Sequence, residues 1–229
     1  MTSLPKYHLD AIFDPTQAHP DDAHSLLMGL IPRNSRVLEL GCASGYLSGY
    51  MEQALGCRVT GLEFDPAATA IAATRCSEVY TVDLDMPDAL NVARASAPYN
   101  VLLAAAVLEH IKQPERILQQ AKMLLAPGAR VIVSLPNIAH WRLRLDLLMG
   151  KFDYTDYGVM DRTHLRLYTA RTGRELLASQ GYTVDELVIA GSGLQNLLNS
   201  AARRFKRPLP KPILPGLFAY ELIYAAHMK

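Results

Sequence analysis

Short apolar runs and amphipathic stretches alternate along this chain. Residues 37–40, 58–62, 78–82, 101–104 and 130–135 each carry a compact apolar run bounded by turn residues, the pattern of strands. Between them, residues 46–54, 66–74 and 114–125 space their apolar side chains for helices, and a further helix fits 172–179. Leu26, Leu27 and Leu30 give an earlier helix its apolar face, with Pro20 and Asp21 at its start and Pro32 after its end. Short apolar strands separated by helices predict parallel pairing in a sheet covered on both faces. Strands at 183–189 and 218–225 bring the total to seven, and the lack of a helix between these two predicts an antiparallel pair at the sheet edge. The expected fold is therefore α/β, Rossmann-like, with a seven-stranded and mostly parallel sheet.

Two stretches interrupt the alternation. Residues 137–170 are rich in Trp, Tyr, Asp, His and Arg and read as a lid inserted after the fifth strand. Residues 192–215 begin Gly/Asn-rich, turn basic at Arg203-Arg-Phe-Lys-Arg207 and end in prolines. That basic patch is a solvated face, a contact for an acidic substrate, or a membrane-surface contact. Residues 1–32 form an irregular arm and a helix, and the whole of 1–229 reads as one domain.

Composition narrows the field. Half of the 229 residues are apolar and the net charge is +1, so there is core enough for one domain and no general attraction to nucleic acid. Cys42, Cys57 and Cys76 show neither zinc spacing nor a disulfide framework, which fits a reducing cytoplasm. The polar N-terminus lacks a signal core, and no run reaches the length of a membrane span.

The chemistry begins at Arg36-Val-Leu-Glu-Leu-Gly-Cys-Ala-Ser-Gly-Tyr46. A strand passing through a glycine turn into a helix presents N–H groups where backbone can approach a ligand. The GxxxG spacing is neither the GxGxxG dinucleotide fingerprint nor a P-loop, so the turn alone is a nucleotide-type cofactor site or simply a tight turn. Acids then recur at strand ends. Glu39 stands in the first strand, Glu63 closes the second 24 residues later, and Asp83 closes the third. A carboxylate after the second strand can accept from ribose hydroxyls, and one after the third from an adenine amine. Each acid taken singly can also be read as a helix cap or a solvated turn residue, but three at corresponding strand ends favour the cofactor reading.

Together, Val37-Leu-Glu-Leu-Gly-Cys-Ala-Ser-Gly45, Glu63, Asp83-Leu84, Val107-Leu-Glu-His-Ile111 and Leu124-Leu-Ala-Pro-Gly-Ala-Arg-Val-Ile-Val-Ser134 resemble a class I S-adenosylmethionine-dependent methyltransferase. The resemblance covers roughly residues 33–188. It implies that Gly41, Cys42, Ala43 and Gly45, with Tyr46 opening the helix, wrap the methionine part of S-adenosylmethionine, and that Glu39 lies near its amine. It places Glu63 on the ribose, Phe64 beside the adenine, and Asp83 and Leu84 on the adenine edge. Ala104 and Ala105 would line the pocket near the sulfonium. Related chains often carry Asp where this one has Ala106.

The acceptor side is less determined. His110, after the fourth strand, is the first candidate for a general base, with a helix-start residue bonded to backbone as the rival reading. His140 and His164 are alternatives, with Asp161 three residues before His164 and able to orient its ring. Arg144, Arg162 and Arg166 can recognise an anionic group, or close salt bridges onto Asp146, Asp153 or Asp156. Asn137, Trp141, Tyr154 and Tyr157 complete the acceptor-binding candidates. Part of this segment resembles a bacterial subgroup linked to glycan or specialised-metabolite pathways.

The expected reaction is methyl transfer from S-adenosylmethionine, leaving S-adenosylhomocysteine, to oxygen on a small metabolite or glycan-linked acceptor. Methylation of nitrogen, a non-catalytic cofactor-binding protein and a NAD-dependent oxidoreductase are the alternatives. No nucleic-acid partner is expected, and a homodimer is an open expectation. No metal is expected, because His110, His140 and His164 form no ligand cluster in sequence, although distant carboxylates can converge in space.

Overall fold

The computed structural model describes residues 11–19, 22–191 and 214–228. The expected start of the first helix at Pro20 and Asp21 and the basic patch 203–207 lie outside these residues. Seven strands form one sheet: β1 (Arg36–Leu40), β2 (Arg58–Glu63), β3 (Glu78–Thr81), β4 (Tyr99–Ala105), β5 (Leu125–Pro136), β6 (Tyr182–Ala190) and β7 (Glu221–Met228). Their spatial order is β3-β2-β1-β4-β5-β7-β6. β1 to β5 pair in parallel, and β7 runs antiparallel to both of its neighbours. The antiparallel strand therefore lies one position in from the edge, and β6 forms the edge itself.

Side-chain alternation along the parallel strands feeds two cores. Leu38, Leu40, Leu62, Leu102, Ala104, Val131 and Val133 pack on one face. Val37, Val59, Val101, Leu103 and Ile132 pack on the other. All twelve are fully buried, which is why the inner strands read as near-continuous apolar runs.

Helices α1 (Ala23–Leu30), α2 (Tyr46–Leu55), α3 (Pro66–Ala72), α4 (Pro114–Ala121), α5 (Trp141–Leu148) and α6 (Ala170–Ser179) connect or cover these strands, and α7 (Pro215–Phe218) precedes β7. Local chemistry sets their starts. The Asp22 carboxylate accepts from Ser25 N–H at α1, and Asp65 accepts from Ala67 N–H at α3, where Pro66 sits at the first helical position. Thr169 and Thr172 form a reciprocal cap on α6.

Three elements differ from the sequence expectation. The helix expected over 114–125 stops at Ala121, a 3-10 turn takes Lys122–Leu124, and β5 already begins at Leu125. The strand expected over 218–225 begins three residues later because Pro215–Phe218 is helical and buried Ala219 packs in the core. The excursion 137–170 contains α5, a helix with no buried residue, and is tied down by isolated bridges Asn137–Tyr168 and Thr155–Asp161.

Candidate functional site

Strand order reverses between β1 and β4, where adjacent parallel strands send their chains to opposite sides and leave a crevice at their carboxyl ends. A cavity of about 920 Å³ opens there, within the size range of cofactor pockets. Its first wall is the β1–α2 turn, in which Gly41, Ala43 and Gly45 all have positive φ (66°, 47° and 74°). A β-carbon on Gly41 would lie 2.6 Å from the Val107 side chain, so only glycine fits the turn against the segment after β4.

Glu63 holds this turn from the end of β2. Its Oε2 accepts from Ala43 N–H at 2.8 Å and its Oε1 from Asp65 N–H at 2.9 Å. A carboxylate has about four lone-pair sites, so two remain for a ligand. Glu39 lies on β1 behind the turn, only 2% exposed, and accepts from the Ser48 hydroxyl at 2.5 Å. Burial pushes its carboxyl up to about 8. Asp83, beyond β3, accepts from Asp85 N–H through one oxygen.

Glu39, Gly41, Cys42, Ala43, Tyr46, Glu63, Phe64, Asp83, Leu84 and Ala105 all line the one cavity. Gly45 and Ala104 do not. Gly45 caps α2 and allows close packing on Ala72, and Ala104 is fully buried in β4. The donors and acceptors present thus suit a nucleoside-bearing cofactor with a cationic amine: carboxylates at three strand ends, a backbone turn that excludes side chains, and half-buried Tyr46.

The opposite wall begins where β4 ends. Ala106 has φ 49° and donates its N–H to the Ser134 hydroxyl, which turns the chain into a 3-10 turn, Leu108–His110. The backbone carbonyl of Glu109 accepts from both Leu165 N–H (2.8 Å) and Arg166 N–H (3.0 Å), fastening the 137–170 excursion over the cavity. The Glu109 side chain is 1% exposed, its Oε2 has no hydrogen-bond partner, and burial pushes the carboxyl up to about 8. His110 Nδ1 lies 3.2 Å from the Thr163 carbonyl and 3.1 Å from its hydroxyl. His164 Nδ1 lies 3.0 Å from the Val159 carbonyl. The two rings meet edge to face with centroids 4.7 Å apart.

Of the acceptor-side candidates, His110, His164, Asp161 and Tyr157 line the cavity. Asp161 does so in a different part from that expected: its Oδ1 accepts from the Thr163 N–H and hydroxyl, while the Val159 carbonyl orients His164. The remaining candidates lie elsewhere. His140 caps α5 by accepting from Arg142 N–H and packs on Tyr220, with burial holding its pKa below the usual value. Asn137 is fully buried, donating to the Ala219 carbonyl and accepting from Ala139 N–H. Trp141 and Tyr154 are on the outer surface, 42% and 53% exposed.

The arginines are likewise local fasteners. Arg144 donates to the Ala139 carbonyl, Arg162 pairs with Asp156 at 3.0 Å, and Arg166 donates to the Lys112 carbonyl. Among the described residues that line the cavity there is no lysine or arginine, while Glu109, Asp161 and Glu221 add acids at the acceptor end.

Glu109 and Glu221 were not among the sequence candidates. Glu109 lies inside the Leu108-Glu-His motif, and nothing in that local pattern marks its burial. Glu221 reaches the cavity only because β7 slots beside β5, and desolvation holds its carboxyl above the ordinary range.

A family model described as a methyltransferase domain matches residues 16–187. The chain is 36% identical over 119 residues to a ubiquinone biosynthesis O-methyltransferase of Paraburkholderia phytofirmans, covering 51% of this chain and 48% of that protein. It is 27% identical to a protein of the same name from an Azoarcus species, over 72% of this chain and 73% of the other. The chain thus spans about half the length of the leading curated relatives it matches. Among solved structures, magnesium protoporphyrin IX methyltransferase of Synechocystis with bound SAH shares the fold. It has a TM-score of 0.58 at 17% identity, over 90% of this chain and 80% of that one. No helix among the described residues is long and apolar enough to cross a membrane.

Proposed function

Because the chain belongs to the S-adenosylmethionine-dependent methyltransferases, we propose that it methylates a hydroxyl oxygen of a small acceptor carrying no negative charge. One observation carries this reading. A single cavity joins the Gly41–Ala43 turn, Glu63 and Asp83 to His110 and His164. In it, Glu63 and Asp83 would hold the ribose and adenine, the turn would hold the methionine end, and Glu39 would face the amine. When bound, S-adenosylmethionine supplies an electrophilic methyl carbon, which takes the acceptor's electron pair as the carbon–sulfur bond breaks toward a neutral thioether.

The chain's own residues do the rest. His110 and His164 draw the proton from the acceptor hydroxyl, and residues 157–164 cover the cavity against water as a lid. The relatives named for O-methylation support oxygen as the acceptor atom.

Charge selects the acceptor. The described lining offers a phosphate or carboxylate no lysine or arginine, and Arg144, Arg162 and Arg166 are spent on other partners. A neutral glycan hydroxyl meets this requirement, whereas an anionic acceptor does not. The carboxyl groups of the cavity can also accept hydrogen bonds from an amine, which makes nitrogen the second reading. The exposed apolar residues of α5, Leu148 above all at 84%, support self-association as a homodimer.

The test is calorimetric titration with S-adenosylhomocysteine against a NAD control, followed by mass-spectrometric screening of hydroxyl and amine acceptors. Selective S-adenosylhomocysteine binding and a gain of one methyl on a hydroxyl acceptor are expected. Binding of NAD instead, or methylation confined to amines, overturns the assignment.

A further inference from the structure

We propose that Glu109, His110 and His164 form a binding site for one divalent transition-metal ion at the acceptor end of the cavity. A ligating atom from each of the three lies within 4.8 Å of those of the other two. An ion bonded to nitrogen and oxygen at about 2.0–2.2 Å needs adjacent ligand atoms about 3–3.5 Å apart, so a shift of about an ångström completes the site.

Two independent features single this cluster out. The first is Glu109 Oε2, an oxygen of a side chain 1% exposed that has no hydrogen-bond partner although it belongs to a cavity-lining residue. A buried carboxylate oxygen without a donor is costly, and a cation is the partner that would satisfy it. The second is the setting of the two rings. Each places Nδ1 against a backbone carbonyl, Thr163 for His110 and Val159 for His164. An N–H donated there makes Nε2 the lone-pair nitrogen of each ring, which is how metal-binding histidines are held.

The backbone keeps the ligands together. Leu165, directly after His164, donates its N–H to the carbonyl of Glu109, directly before His110. The three ligands therefore come from two segments locked to each other, although 54 positions separate the two histidines.

The donor set identifies the class of ion. Two imidazoles and one carboxylate favour zinc, manganese, iron(II) or cobalt over magnesium and calcium, which prefer all-oxygen shells. Three protein ligands leave positions open toward the cavity. Resting on the methyl-transfer reading above, the ion would take the acceptor oxygen in one of them. The hydroxyl proton then leaves to solvent at lower pH, and the oxygen's electron pair forms the new bond to the methyl carbon as sulfur takes the pair of the breaking bond. With an ion bound, the two histidines would hold it instead of taking the proton themselves, the ion would activate the acceptor hydroxyl in their place, and the acids around them would suit its charge.

The experiment uses the full chain, stripped with chelator and dialysed against cobalt(II), manganese(II) or zinc(II). The bound ion is counted by mass spectrometry, and cobalt is also followed by its visible absorption. Expected are one equivalent of ion with cobalt d–d bands, and binding at least about tenfold weaker in Glu109→Gln and in His164→Ala. S-adenosylhomocysteine is titrated into the same samples. Folded protein that binds this ligand but takes up no stoichiometric ion overturns the metal site and leaves the methyl-transfer reading standing. Ion uptake unchanged by both substitutions also overturns the site. Ion uptake lost in the variants, with no binding of S-adenosylhomocysteine by the parent, supports the site and defeats the methyl-transfer reading. Should Glu109→Gln fail to fold, half-exposed His164 carries the test.

Discussion

At the end of the cavity proposed for the cofactor the polar groups sit at or just past the ends of parallel strands, and the backbone of the glycine turn forms much of the wall. At the acceptor end they sit on a 3-10 turn and an excursion of more than thirty residues, held together by the Glu109 carbonyl with Leu165 and Arg166. The first arrangement is built on a consecutive strand, turn and helix: Glu63 clamps Ala43 from the neighbouring strand, and Gly41 packs against Val107. The second depends on side chains meeting across long sequence separations. A fold built this way keeps its donor site fixed while the acceptor wall can change chemistry.

The sharpest way to break the comparison is at the glycine-turn end. Gly41→Arg combines a positive φ with a side chain where Val107 already sits. S-adenosylhomocysteine affinity should fall by at least about 100-fold, or about 2.7 kcal/mol, in protein whose circular dichroism stays native. Unchanged affinity would remove the turn from the cofactor site.

Next comes the acceptor end. His110→Ala should lower turnover on the order of 100-fold and leave S-adenosylhomocysteine affinity within about twofold. Equal losses in both would show that the two ends are not separable.

A third measurement compares the ends by pH. Burial holds the folded Glu39 carboxyl at about 8 against an ordinary 4.5. Between these values the folded state keeps a proton that the unfolded chain has lost, so ligand-free stability falls as pH rises across this window. Glu39→Gln stays neutral and should flatten the fall in melting temperature from about pH 5 to about pH 8. Glu109 and Glu221, shifted in the same direction by the same burial, contribute to the slope that remains. An unaltered slope would mean that Glu39 is ionised in the folded protein.

The smallest effect tests the arginines. Arg162 pairs with Asp156 on the surface, both side chains well exposed. Arg162→Ala should change acceptor KM by no more than about twofold. A tenfold rise would return an anionic acceptor to contention.

The sequence made the first end legible and the second only in part, for physical reasons. A strand, a glycine turn and a helix are contiguous, so Val37 to Tyr46 announces its own geometry, and the acids Glu39, Glu63 and Asp83 follow from strand ends. The parallel sheet followed from apolar runs buried on both faces. Helix α5 escaped notice because it buries nothing and so has no apolar stripe facing a core. Arg144 and Arg166 read as anion ligands because the backbone carbonyls that take their hydrogen bonds carry no sequence signature. Glu109 and Glu221 owe their burial to strand order and to the folded excursion, neither of which a local pattern encodes.

The place of β7 in the sheet has a consequence for how the molecule is made. Among the described residues, β6 pairs in the sheet with β7 alone, and β7 is the second neighbour of β5. On a ribosome, β1 to β6 emerge before the strand that lies between β5 and β6 in the sheet, and this pairing must wait for residues 221–228. The residues of the Ala43–Glu63 clamp emerge long before that. Those of the acceptor wall do not, since Glu221 lies on the same late strand and Tyr220 beside it accepts from Asn137 N–H. A nascent chain would thus own the residues of a donor site before it owned those of an acceptor site, and the strand that closes the sheet would also finish the cavity.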